Sequence, residues 1–288
     1  MGPDRIPQLM RCFRYLNADT WYISTVRVDY SVAGLWRYPV KSMQGEELDA
    51  AEITAGGLLG DRRFAVIDSA TGDLANAKNP RKWPRFYSYR AAYTEPPRAG
   101  SALPAVRITT PGGISATSDE ADLSRLLSAA LGREVILSGP QPAAAAEEYV
   151  IADGQAASFD LPSRTFFDEA TLHLVTTASL DRLRSLHPAS RIEPRRFRPN
   201  IVVAAGPDRS GFAENDWVGR KIAIGEHVRL RVTMGTERCN MPTLAQADLP
   251  KDSRILRTVA RYNNMQVGVY AEVISGGPVR RGDPITVL

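Results

Sequence analysis

Cysteine is nearly absent from this chain: 288 residues hold two, Cys12 and Cys239. That excludes a disulfide framework and an iron–sulfur cluster held in the usual four-thiolate manner. Electrons for any redox chemistry must therefore come from elsewhere. Long apolar runs are missing too. No stretch reaches the roughly 18 apolar residues of a membrane-spanning helix. The arginine-bearing N-terminus lacks the apolar segment of a signal peptide, so a cytoplasmic location is expected. Neither charge sign dominates, with 36 Lys and Arg against 32 Asp and Glu and no basic block. A net charge of +4 suits a small anionic ligand as well as nucleic acid and decides neither. Repeats are absent, as is the Gly-x-Gly-x-x-Gly fingerprint of dinucleotide binding.

What is present supports a large core in one or two domains, since 43% of the residues are hydrophobic. Strands are expected at 25–40, 47–53, 64–68, 86–93, 105–109, 134–137, 171–176, 201–204, 221–224, 227–233, 265–274 and 285–288. Each is an alternating or short apolar run bounded by Gly or Pro turns. Helices are expected at 119–131, with Leu123, Leu126, Leu127 and Ala130 inward, from Ser179 onward, and at 252–262. Residues 11–16 have the makings of a short helix but no cap. The Pro/Ala-rich stretch 138–148 is the best candidate boundary. It separates a domain at 25–140 from one at 149–288, after a peripheral extension at 1–24. Short strands, tight turns and few helices predict a mainly β fold with helices (α+β), built as β-barrels with helices packed outside.

The stretch Thr236-Glu237-Arg238-Cys239-Asn240-Met241-Pro242-Thr243 follows an alternating strand and is stiffened by Pro242. Cys239 is thus set on a loop past a rigid element, as metal-ligating thiolates are, with the positive Arg238 beside it. A buried packing cysteine is the competing reading. Lys41 and Ser42 end the first strong strand after Pro39, a pair able to bind phosphate or simply to form a solvated turn. Gly60-Asp61-Arg62-Arg63 offers guanidinium forks on a Gly-rich bend, where a salt-bridged hairpin is equally plain. Arg195-Arg196-Phe197-Arg198-Pro199-Asn200 is a dense donor group ahead of an apolar strand, and by itself it reads first as a solvated basic turn. The basic 78–85 loop carries Trp83, a thin signal for single-stranded nucleic acid.

Taken together, Tyr38-Pro39-Val40-Lys41-Ser42, Gly60-Asp61-Arg62, Arg198-Pro199-Asn200, Arg238-Cys239, Gly268-Val269-Tyr270 and Arg281-Gly282-Asp283 stand in an order that resembles the MOSC-domain family. The likeness is to its two-part, amidoxime-reducing members and their bacterial relatives, an N-terminal MOSC β-barrel domain followed by the MOSC domain. The resemblance implies the molybdenum cofactor (Mo-molybdopterin), with Cys239 as protein ligand to the metal and Thr243 near it. It implies Lys41, Ser42 and Arg62 on the pterin phosphate, Arg198 and Asn200 on pterin and phosphate, and Arg238 beside the ligand. The 176–179 turn, with Thr177 and Ser179, would line the cofactor. The implied activity is reduction of N-hydroxylated substrates, amidoximes or hydroxylamines, to the amine. Two electrons and two protons would come from a separate ferredoxin, flavodoxin-type reductase or cytochrome, and the oxygen would leave as water. A cofactor or sulfur carrier without turnover is the alternative; no nucleic acid and no membrane are expected as partners. One departure stands out. Where the family places an acid-Pro-x-Thr-Gly run, this chain has Ala245-Gln246-Ala247-Asp248-Leu249-Pro250-Lys251-Asp252; Asp248 reads first as a solvated loop carboxylate and second as a stand-in for the acid.

Overall fold

The computed structural model describes residues 29–139 and 171–288, plus the backbone of four short strands outside those ranges. The first two, β1 (Arg11–Tyr15) and β2 (Trp21–Thr25), pair antiparallel. The helix expected at 11–16 is therefore a strand, in keeping with the segment's aromatic content. Next come β3 (Tyr30–Arg37), β4 (Glu46–Leu48), β5 (Ala50–Thr54), β6 (Gly57–Leu58) and β7 (Ala65–Asp68). A 3-10 turn at Phe86–Ser88 precedes β8 (Arg90–Tyr93). A continuous strand at 86–93 was expected. Trp83, Phe86 and Tyr89 recur every third residue and all three are buried, a spacing that a 3-10 turn places on one face.

Then follow β9 (Val106–Thr109), β10 (Ser115–Thr117), α1 (Leu123–Leu131) and β11 (Val135–Ser138). α1 starts four residues later than expected, because Glu120 turns back to accept from the Thr117 N–H and hydroxyl. It buries Leu123, Leu127 and Leu131, leaves Ala130 exposed, and ends on left-handed Gly132. β12 (Ala146–Val150) and β13 (Ala156–Asp160) form a second hairpin where a loop was expected.

The C-terminal half holds β14 (Leu172–Thr176), α2 (Thr177–Leu186), β15 (Ile201–Ala205), β16 (Lys221–Ile224) and β17 (Val228–Glu237). It ends with α3 (Arg254–Asn263), β18 (Gln266–Ser275), β19 (Gly277–Arg280) and β20 (Pro284–Val287). α2 begins at Thr177, two residues before the expected Ser179, because the Thr176 hydroxyl caps it by accepting from the Ser179 N–H at 3.1 Å. The sheet runs β15-β14-β18-β17-β16-β20-β3, and β15 pairs back onto β3, so seven strands close a barrel. Closure leaves none of the seven an open edge. The chain is mainly β with helices.

Alternation sorts the side chains. Val228, Leu230 and Val232 of β17 point inward with Leu35, Leu174, Ile201, Val203 and Val269. Outside, Val175 and Val202 pack with Leu180, Leu183, Ile255 and Val259 of α2 and α3. Burying each such aliphatic side chain stabilises the fold by about 1.5–3 kcal/mol. A second core joins Val40, Met43, Phe64 and Val66 to the aromatic turn and α1. The two cores support the division at 25–140 and 149–288, which we propose with β3 as a strand lent to the C-terminal barrel. Gly268 has φ +85°, and a Cβ there would sit 2.3 Å from His173 Nε2 and 2.5 Å from Leu174 O. Only glycine lets β18 and β14 approach so closely. Among the described residues, no helix is long and apolar enough to cross a membrane.

Candidate functional site

The chain leaving β3 is stapled to the Gly60 bend. Asp61 accepts from the Tyr38 N–H at 2.6 Å, and the Arg62 N–H donates to Tyr38 O at 2.7 Å. The Lys41 N–H donates to Phe64 O at 2.8 Å. Arg62 pairs with Asp61, lies 5.0 Å over the Tyr38 ring, and reaches Arg198 O at 3.5 Å. Arg198 crosses the same ring at 4.1 Å and donates to Met43 O. The Tyr38 hydroxyl donates to Pro199 O, and Arg238 donates to Phe197 O at 2.9 Å. Four segments far apart in sequence thus meet around Tyr38.

This meeting place is cationic and dry. Lys41, Ser42, Arg198 and Arg238 are all buried. Burial lowers the Arg198 pKa, and neighbouring Arg62 lowers it further. His173 is pushed down to about 3, first by burial and then by Arg238, so it is neutral. Burial pushes the Tyr87 phenol up, Arg198 and Arg238 pull it down, and Cys239 is near enough to push it up again. The Arg238 Nε atom is buried with no hydrogen-bond partner. Ser42, Arg62 and Arg198 have φ of 61°, 47° and 55°. Left-handed backbone at a non-glycine costs on the order of 1 kcal/mol or more, and such strain gathers at functional sites.

Cys239 itself is exposed. Its strand extends to Glu237 rather than 233, and β-bulges between Val232 and Met234 and between Gly235 and Glu237 re-aim it. The loop beyond is held from below. Met241 packs on Ala77 and Tyr87, while Arg196, fully buried, donates to Arg191 O, Pro242 O, Leu244 O and Pro250 O at 2.7–3.3 Å.

Comparison with known proteins identifies both halves of the chain. Residues 30–148 match the MOSC N-terminal beta barrel domain, and residues 162–286 match the MOSC domain. The chain belongs to the MOSC-domain family. It is 27% identical over 296 residues to mitochondrial amidoxime-reducing component 1 of Mus musculus, covering 90% of this chain and 82% of the mouse protein. Among solved structures, YuaD of Bacillus subtilis aligns at 13% identity and TM-score 0.44, over 89% of this chain and 93% of that one. YiiM of Geobacillus stearothermophilus aligns at 9% identity and TM-score 0.30, over 50% and 71%.

Other expected site residues of this MOSC chain hold hydrogen bonds within the fold. The Asn200 amide accepts from the His173 N–H at 3.2 Å and donates to Trp36 O at 3.3 Å, clipping β14 to β3. The Ser179 and Thr176 hydroxyls both donate to Glu214 at 2.5 Å, and the Thr177 hydroxyl accepts from the Ala205 N–H at 3.0 Å. Glu214, fully buried, also accepts from the Gly268 N–H; burial raises its pKa against those donors. Nothing in its local sequence marked it. Thr243 donates to Asn240 O at 2.6 Å, closing the turn after Cys239. Asp248 is exposed and held by Arg195 and Arg191, which keep its carboxyl well below the usual range. It is ionised and paired, so it is no proton donor near neutral pH. Trp83 is buried under Arg133 at 4.8 Å, so the 78–85 loop offers bases no tryptophan face.

Proposed function

We propose that this chain binds the molybdenum cofactor and reduces N-hydroxylated substrates, such as amidoximes and hydroxylamines. The observation that carries this reading is the convergence of Arg62, Arg198 and Arg238 on one buried cluster beside the exposed Cys239 thiol. The donor set fits the group. The unpartnered Nε of Arg238 and the burial cost on Arg198 are both relieved by an anion. A soft thiolate suits a sulfur-bound redox metal. When bound, the cofactor would supply two-electron oxygen-atom transfer. Cys239 would hold the metal, while Lys41, Ser42 and Arg62 would hold the phosphate. Arg198 and Arg238 would face the pterin. Asn200, Thr177, Ser179 and Thr243 would keep those segments in place through the bonds described above. Tyr38 and Tyr87, kept neutral by burial, would exclude water without competing for the anion.

The mouse relative is named for amidoxime reduction, and the substrate class proposed here follows that name. With two cysteines in the chain, electrons would come from a separate ferredoxin, flavodoxin-type reductase or cytochrome. Cytoplasmic placement belongs to the same proposal, and cell fractionation tests it. Protein expressed with molybdate should carry metal and phosphorus in equal amounts and turn over benzamidoxime with reduced viologen. Metal without turnover would favour a cofactor or sulfur carrier; absence of both would end the proposal.

A graded result is expected at the phosphate contacts. Lys41→Ala and Arg62→Ala should each lower cofactor occupancy by losing a charge-assisted contact worth about 1.5–3 kcal/mol. Arg63 acts instead on the Tyr93 phenol, on another side of the bend. Arg63→Ala should therefore leave phosphorus content nearly unchanged. Equal loss in all three variants would show that the wrong arginine has been assigned.

A further inference from the structure

α3 carries three arginines and no acid: Arg254, Arg257 and Arg261, all exposed. Spacings of three and four residues put them in one stripe along the helix, turned away from Ile255 and Val259, which face the core. Like charges so placed repel, and positive charge in the first turn opposes the helix dipole. Asp252 relieves Arg254, accepting from its Nε at 2.8 Å and its Nη2 at 3.0 Å. Arg257, Arg261 and the exposed Lys251 form no ion pair among the described residues. Arg261 lies 5.4 Å from the ring of Tyr262, which is 45% exposed. Arginine and tyrosine are the residue types that anchor protein interfaces.

The stripe is fastened to the candidate site at both ends. Ahead of α3 the Asp252 N–H donates to Thr243 O at 2.8 Å, and behind it Met265 O accepts from the Arg238 N–H at 2.7 Å. The helix thus runs alongside the loop that bears Cys239. Asn264 and Met265 hold φ of 47° and 65°; a left-handed methionine is strained, and this one sets its carbonyl on Arg238. The loop's own acid, Asp248, is paired with Arg191 and Arg195. Two unpaired acids, Asp216 and Glu237, lie by the C-terminal end of α3, next to Asn263 and Gln266, and along the stripe positive charge prevails. Resting on the reductase reading, we propose that the arginine stripe of α3 docks an acidic electron-carrier protein beside Cys239. Two reduced carriers each give one electron and solvent gives two protons. The substrate N–O bond breaks, amine and water leave, and two carriers are oxidised per amine. Carboxylates around the carrier's redox centre meet guanidiniums in fork geometry, which orients the encounter.

Reduced plant-type ferredoxin and reduced methyl viologen, given in turn to the molybdenum-loaded full chain, separate docking from chemistry. Arg257→Glu combined with Arg261→Glu should raise KM for ferredoxin about tenfold or more, and weaken calorimetric binding of oxidised ferredoxin as much. Rates with viologen and the melting temperature should stay as in wild type, since both positions are exposed. Salt should weaken ferredoxin binding more in wild type than in this variant. Arg98→Glu combined with Arg107→Glu makes the same charge change at exposed positions of the N-terminal half, and should leave ferredoxin binding nearly as in wild type. Equal weakening by the two pairs would overturn the proposal, because net charge rather than α3 would then attract the carrier. So would an unchanged ferredoxin KM in the α3 variant, or a wild type that turns over with viologen but neither binds nor uses ferredoxin. Absence of turnover with viologen would end the reductase reading, and this proposal with it.

Discussion

Cys239→Ser is expected to lower reduction of benzamidoxime by at least about a hundredfold, more than loss of a supporting contact around a metal. The sulfur-to-metal charge-transfer absorption should vanish with it. Phosphorus should stay largely bound, because Lys41, Ser42 and Arg62 are untouched. The fold should hardly notice, since the thiol is exposed and surface substitutions change stability by about 0.5 kcal/mol or less. Cys12→Ser serves as the comparison and should change none of these readings. An unaltered absorption spectrum in the Cys239 variant would remove the cysteine from the metal.

Much of the proposed site could be picked out before the fold was known, for a physical reason. Lys41, Ser42, Arg62 and Cys239 lie where strands end, and strand ends are set by local alternation and by Pro and Gly. What local pattern cannot give is burial. Lys41 and Ser42 looked more like a solvated turn than an anion site, and their burial depends on segments 20 and more residues away, such as Phe64, whose carbonyl takes the Lys41 N–H. The three arginines of 195–198 look alike in sequence. In the fold, Arg195 pairs with Asp248 at the surface, Arg196 disappears beneath the Cys239 loop, and Arg198 crosses Tyr38. The barrel was legible as a class but its closure was not. β3 pairs with β15 and β20, well over a hundred residues later, and no local pattern encodes such partners. Glu214 was missed for the same reason: its three donors come from Thr176, Ser179 and Gly268. Thr177, Ser179 and Asn200, expected at the cofactor, each hold a bond within the fold. Short polar side chains near a site are as useful for binding its walls together as for touching its ligand.

Arg196→Met is expected to destabilise the chain by about 3–5 kcal/mol, the cost of stripping partners from buried polar groups. Methionine fills a similar volume, so the loss measures hydrogen bonding rather than a cavity. Pro242 O, Leu244 O and Pro250 O would lose their donor together, and these carbonyls span the whole loop after Cys239. A ~2–4 °C fall in melting temperature per kcal/mol, usual for chains somewhat smaller than this one, puts the change within easy reach of calorimetry. Arg196→Lys should recover only part, because one ammonium cannot reach four carbonyls laid out for a planar fork. The loop's effect on chemistry can be read separately. Below the melting transition the Met variant should keep its phosphorus, bound by Lys41, Ser42 and Arg62. Its turnover should still drop, because Cys239 would no longer be held in one geometry. A Met variant that melts with wild type and turns over normally would show that the loop is held without Arg196, by its own turns and the Asp248 ion pairs.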